Sequence, residues 1–160
     1  MQGIKTLNLT NETVAGSQGA VFCEIGSRRY VMANLTKFKA KFKVNITKKG
    51  VLGKSGKQAK PGGWEGSWEA TVYYNQSTMR ALAEEYKNTG VLPPFNIQTI
   101  NEDQSSVKTI GRQSVIFKDC ISEEMIISML DVDAEILEED LSGTFNDFDF
   151  PEKFKDLPSA

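Results

Sequence analysis

A chain of 160 residues, 39% hydrophobic and 25% charged, is expected to form one soluble domain with a core of its own. A net charge of −2 does not mark the whole molecule as a polyanion binder. With no apolar run near the roughly 18 residues of a membrane helix and no signal-peptide pattern, an integral membrane protein is not expected. The chain has no histidine, which removes the commonest general base and the commonest transition-metal ligand. Its two cysteines, Cys23 and Cys120, are too few for a structural zinc site and read as buried free thiols. No catalytic, metal-binding or cofactor-binding set is therefore expected.

In chain order, residues 1–17 are polar and read as a flexible arm. Residues 20–25 read as a strand, with Gly26 and Ser27 turning into another near 28–32. The strongest periodicity follows, in KFKAKFKVNIT at residues 37–47. Phe38, Ala40, Phe42, Val44 and Ile46 share one parity, and Lys37, Lys39, Lys41 and Lys43 share the other. Period two places these sets on opposite faces of a strand, one buried and one wet. Residues 48–63 hold five glycines and a proline and read as a mobile basic loop. Residues 67–74 form a second amphipathic strand, led by Trp68.

A helix follows, with Ser77 as its cap, a stripe of Met79, Leu82, Ala83 and Tyr86, and Gly90 closing it. Residues 95–100, 107–110, 113–118, 125–130 and 144–150 read as further strands. Residues 133–141 are open between a helical turn and an acidic loop. The sum is a mostly β domain with one helix near its middle.

Three constellations invite a functional reading. Gly53-Lys54-Ser55 resembles the end of a phosphate-binding loop. However, Lys48 stands where the first glycine should be, and Pro61-Gly62-Gly63 follows where a helix should start. The acidic run 131–140 fails as a calcium loop, because Ile136 and Ser142 occupy the positions that need glycine and glutamate. The lysine stripe at 37, 39, 41 and 43 fits a phosphate backbone, a solvated or pore-lining face, or a subunit contact. Its aromatics lie on the apolar parity rather than interleaved for base stacking. Trp68 reads as a core anchor and Trp64 as an interface anchor.

The order VLGKSGKQAKPGGWEGSWEATVYY, YKNTG, GRQSVIFKDC and LDVDAEILEEDLSGTFNDFDFPEKF resembles the tail tube proteins of contractile-tailed phages, and of Gram-positive prophages and phage-tail-like bacteriocins in particular. The similarity runs from about Gln18 to Phe154, which implies a tube domain at 18–154 between the arm and a tail at 155–160. It implies a β-sandwich or barrel with a flanking helix. Six copies would form a ring whose sheets join into an inner barrel, and rings would stack into a tube that penetrates an envelope.

The partners it implies are other copies of the chain, the tail sheath, the baseplate and tail-terminator proteins, and the tape measure protein in the lumen during assembly. DNA in phages, or ions in bacteriocins, would pass through that lumen without recognition of a specific nucleic-acid sequence. Assembly would take place in the bacterial cytoplasm, and the product would be a virion tail or a bacteriocin particle. On this reading Lys48, Lys54, Lys57, Lys60 and Trp64 belong to an inter-subunit loop. Lys37, Lys39, Lys41 and Lys43 line the lumen or a neighbour, and Asp147 and Asp149 are the acidic face expected to meet them. The alternative is a nucleic-acid-binding β-barrel module using the lysine stripe.

Overall fold

The computed structural model of the protein describes residues 6–26, 28–32 and 34–156. The first five residues of the expected arm, Ser27 of the first turn and residues 157–160 of the expected tail lie outside the described residues. The chain divides into two compact units.

The first unit takes residues 1–33, 94–119 and 148–160. Its centre is strand β1 (Gly19–Ile25), which pairs antiparallel with β2 (Arg28–Val31) on one side and β5 (Phe95–Asn101) on the other. Alternation decides what is buried: Val21 and Cys23 on β1, and Phe95 and Ile97 on β5, face the core. Val115 and Phe117, early in β6 (Gln113–Glu124), add to it. β5 and β8 (Asp147–Glu152) both pair with β6.

In the segment read as an arm, the Asn8 side chain accepts from Thr10 N–H and Asn11 N–H and starts the single helical turn α1 (Leu9–Glu12). Further along, Ala15 N–H donates to Asp103 Oδ2 at 2.8 Å. Asp103 also accepts from the N–H and hydroxyl of Ser105 at 2.9 and 2.7 Å. These three donors hold its carboxyl below the usual range, the Ala15 N–H most strongly. The same aspartate turns the chain into helix α3 (Val107–Ile110). That segment reads as strand from its composition; the structure corrects it, because the local side-chain bonds at Asp103 and the bond from Val107 N–H to Asp103 O favour a helical turn.

The second unit takes residues 34–93 and 120–147. It is organised by a long hairpin, β3 (Leu35–Gly50) and β4 (Lys57–Tyr73). Strand β7 (Glu138–Phe145) pairs with β4 from Gly66↔Phe145 to Tyr73↔Glu138, and with the end of β6 from Ile121 to Glu124. The core gathers Trp68, Ala70, Val72, Leu141, Phe145 and Cys120. Gly143 lies opposite Trp68 in the ladder. A Cβ on Gly143 would stand 1.9 Å from Ile121 O and 2.9 Å from the indole, so only glycine admits this approach. Trp68 Nε1 then donates to Thr144 O at 3.2 Å.

Helix α2 (Thr78–Thr89) buries Leu82 and ends on Gly90 in the left-handed region at φ 75°. Ser77 occupies the N-cap position without a side-chain capping bond. The anchor of this helix is Arg80. It donates to Glu139 at 2.9 Å and to Ile126 O at 3.2 Å, also bonds Gln76 O, and stacks over Tyr74.

Three expectations change here. Residues 125–130 form no strand, since Arg80 takes the Ile126 carbonyl that a ladder would need. Residues 144–150 are two strands, separated at Asn146, because Phe145 is committed to β4 while β8 pairs with β6. Residues 133–141 resolve into a turn held by Asp131, whose Oδ1 accepts from Asp133 N–H at 3.0 Å, followed by β7.

Candidate functional site

The feature that the core does not explain is the far half of the hairpin. β4 pairs with β7 only from Gly66 onward, whereas its ladder with β3 continues to Gly50↔Lys57. Residues 41–65 are all exposed. The expected loop is therefore much shorter than residues 48–63. Lys48 lies on β3, Lys57, Lys60 and Trp64 lie on β4, and only residues 51–56, with Lys54, make the connection. Pro61 is admitted to the strand opposite Ile46, beside the register shift between Val44 and Ile46. Gly53 and Lys54 thus belong to a hairpin turn and not to a strand–loop–helix phosphate cradle.

The hairpin has two faces of opposite chemistry. On one, Phe38 stacks on the buried Trp68 at 6.4 Å and Phe42 on Trp64 at 4.9 Å, with Phe145 tilted against Trp64 at 6.2 Å. Gly66 lies between them, and a Cβ there would fall 2.4 Å from the Phe145 ring. This apolar face opens outward along the strand: Phe42 is 51% exposed, Ile46 54% and Trp64 40%.

The other face carries Lys37, Lys39, Lys41 and Lys43, all exposed. The ladder sets Lys39 opposite Glu69 and Lys43 opposite Glu65, so the stripe has acidic neighbours on its own hairpin. Asp149 is held by Lys118 at 2.5 Å, and Asp147 opens β8. Neither aspartate appears in the ladder of the stripe.

A second exposed feature is one that reading by alternation missed. Between Glu124 and Glu138 the chain has no strand, and Ile127, Leu130, Val132 and Ile136 stand out into solvent. Residues 125–130 read as a strand and 133–141 as open between a helical turn and an acidic loop, and neither reading marks these side chains as exposed.

An open depression of about 470 Å³ on the second unit is lined by Lys37, Glu69, Thr71, Glu124 and Asp140, among others. Among the described residues, no group of three or more metal-capable side chains comes together. The chemistry on offer is that of surfaces: an amphipathic hairpin longer than the sheet that supports it, and exposed apolar side chains on that hairpin and on residues 127–136.

This architecture is that of a structural subunit with assembly surfaces. A profile of the phage tail tube protein family matches residues 7–152, and the chain belongs to that family. It is 34% identical over 144 residues to the phage-like element PBSX protein XkdM of Bacillus subtilis (strain 168), covering 90% of this chain and 94% of that protein. It is 32% identical over 143 residues to the uncharacterized protein YqbM of the same organism, covering 89% and 93%.

Among solved structures, a chain of the anti-feeding prophage baseplate, determined by cryo-EM with six-fold symmetry, matches with a TM-score of 0.61. That match has 10% identity and covers 92% of this chain and 97% of that one. The SPP1 tail tube, a hybrid solid-state NMR and cryo-EM structure, matches with the same TM-score and identity, covering 89% and 80%. The mostly β fold is therefore a tail-tube fold.

Proposed function

We propose that this chain is the repeating subunit of the inner tube of a contractile, phage-derived tail: six copies close a ring, and rings stack into a tube that penetrates a target envelope. The observation that carries this reading is the hairpin, whose outer half pairs with no third strand among the described residues and exposes both faces. Membership of the tail tube family supports it, as does the six-fold baseplate assembly from which the similar chain comes.

The role is structural rather than catalytic, and the particle is the place of action. The sheath, baseplate and terminator surround the tube, and the tape measure occupies the lumen during assembly. The lysine stripe faces that lumen or the adjacent copy, with DNA or ions passing without sequence-specific recognition. Lys39 and Lys43 stand opposite Glu69 and Glu65, so the stripe offers a weaker attraction to a phosphate backbone than four lysines suggest. This favours the tube over a nucleic-acid-binding module.

Electron microscopy of the purified protein at high concentration, with and without tail tips as seeds, tests the proposal. Six-fold rings or tubes are expected. A chain that stays monomeric under all these conditions, or that binds DNA in a salt-sensitive way as a monomer, overturns it.

A further inference from the structure

The second unit is polar along its length. Its hairpin tip, residues 48–60, holds five lysines and no acidic residue, and Leu52 at its apex is fully exposed. The loop 127–138 holds four acidic residues and no basic one, with Leu130 94% and Val132 98% exposed. Each surface is thus an exposed apolar residue set among charges of one sign, and the signs are opposite.

The two cannot meet within one copy. The loop leads into β7 at the base of the hairpin, where Tyr74 N–H donates to Leu137 O at 2.9 Å and Tyr73 lies opposite Glu138. The tip lies at the other end of β3, fifteen residues along the strand from Leu35 to Gly50, or roughly 50 Å at about 3.3 Å per residue.

From this polarity we infer that the hairpin tip of one copy docks on the acidic loop 127–138 of another. Leu52 is buried against Leu130 and Val132, and Lys54 and Lys57 lie over Asp131 and Asp133. Such a contact is heterologous, one patch meeting a different patch, and it propagates head to tail. Opposite charge selects the register and the direction, and the apolar residues hold the contact once water is expelled. The inference rests on the self-assembly reading and assigns it a specific pair of surfaces.

Two charge-reversed chains test it: Lys54→Glu with Lys57→Glu, and Asp131→Lys with Asp133→Lys. At the contacting positions 54, 57, 131 and 133 the first variant carries only carboxylates and the second only ammonium groups, so neither matches itself there. Each supplies what the other needs at both ends. Sedimentation and microscopy should show neither variant assembling alone at concentrations where the parent does, and alternating co-assembly when they are mixed.

The geometry is checked by mixing Leu52→Cys with Val132→Cys chains under mild oxidation. Because Cys23 and Cys120 are buried, background is low, and proximity should raise the yield of cross-linked dimer about tenfold over either variant alone. Assembly by both charge variants alone, or assembled mixtures with no excess cross-link, overturns the contact and leaves the tube reading standing. Failure of the parent chain itself to assemble overturns both.

Discussion

At the residue scale, the closest fit in the second unit is at Gly143, where the Trp68 indole and the Ile121 carbonyl leave no room for a methyl group. Gly143→Ala is expected to destabilise by about 1–3 kcal/mol, as overpacking does, read as a lower urea midpoint with unchanged slope. Trp68 was legible in the sequence as a core anchor from its parity. Its glycine partner was not, because no local pattern marks which glycine will lie opposite an indole.

Cys23 gives a pH-dependent test. Burial pushes its thiol up to about 12, above the ordinary cysteine value. The folded state thus keeps a proton that the unfolded chain releases, and the contribution to stability is present below the unfolded pKa and lost as pH rises through the folded one. Cys23→Ala should flatten the fall of Tm between about pH 9 and 12 relative to the parent. An unchanged slope refutes the assignment.

Asp103 has the opposite sign. Its carboxyl is held down by the Ala15 and Ser105 donors, so its contribution is lost as pH falls through the folded value. Asp103→Asn is expected to speed hydrogen exchange at the Ala15 amide selectively.

At the scale of elements, periodicity was most legible where a segment had two chemically distinct faces. β3, the second half of β4 and α2 were all anticipated, and the closing Gly90 with them. It failed where hydrogen bonds to particular side chains, local at Asp103 and long-range at Arg80, decided the outcome. Residues 107–110 follow Asp103 into a helical turn, and residues 125–130 lose their ladder to Arg80. The glycine-rich composition of residues 48–63 suggested a loop, and the register shift that lets Pro61 join a strand cannot be seen in one strand alone.

The Arg80–Glu139 pair also escaped notice, because its partners lie 59 residues apart. Glu139 is buried and Arg80 nearly so. Arg80→Ala should therefore cost about 3–5 kcal/mol by leaving a buried carboxylate without its partner. Replacing both residues with apolar side chains of similar volume should recover most of that loss. If the single change costs no more than the double, the pair does not anchor α2.

The hairpin carries its own prediction. A two-stranded ribbon is marginal in water, so amides of 43–50 and 57–65 should exchange faster than those of 66–73 in dissociated subunits. They should slow on assembly, as ordering is offset by new contacts. Equal protection in both states rejects a role for the outer hairpin in assembly.

At the scale of the whole molecule, the net charge of −2 conceals a separation: lysines concentrate on the hairpin, and carboxylates on the segment from Asp131 to Asp140. That separation was visible in the sequence, as was the family resemblance. The distance between the two patches was not, because it depends on β7 joining the hairpin at its base. A molecule so divided should assemble with an electrostatic approach and an apolar hold. Charge of opposite sign accelerates encounter and is screened by salt, with the Debye length falling from about 10 Å at 0.1 M to about 3 Å at 1 M. Apolar contacts around Leu52, Leu130 and Val132 are not screened, and they govern how slowly a bound copy leaves. Raising sodium chloride from 0.05 to 0.5 M should thus slow tube elongation by about tenfold or more while changing the rate of disassembly far less. Light scattering after dilution into each salt concentration, with lengths checked by microscopy, separates the two rates. A salt effect confined to disassembly would show that charge holds the tube together after docking and does not guide copies onto it, and the division of labour argued here would be wrong.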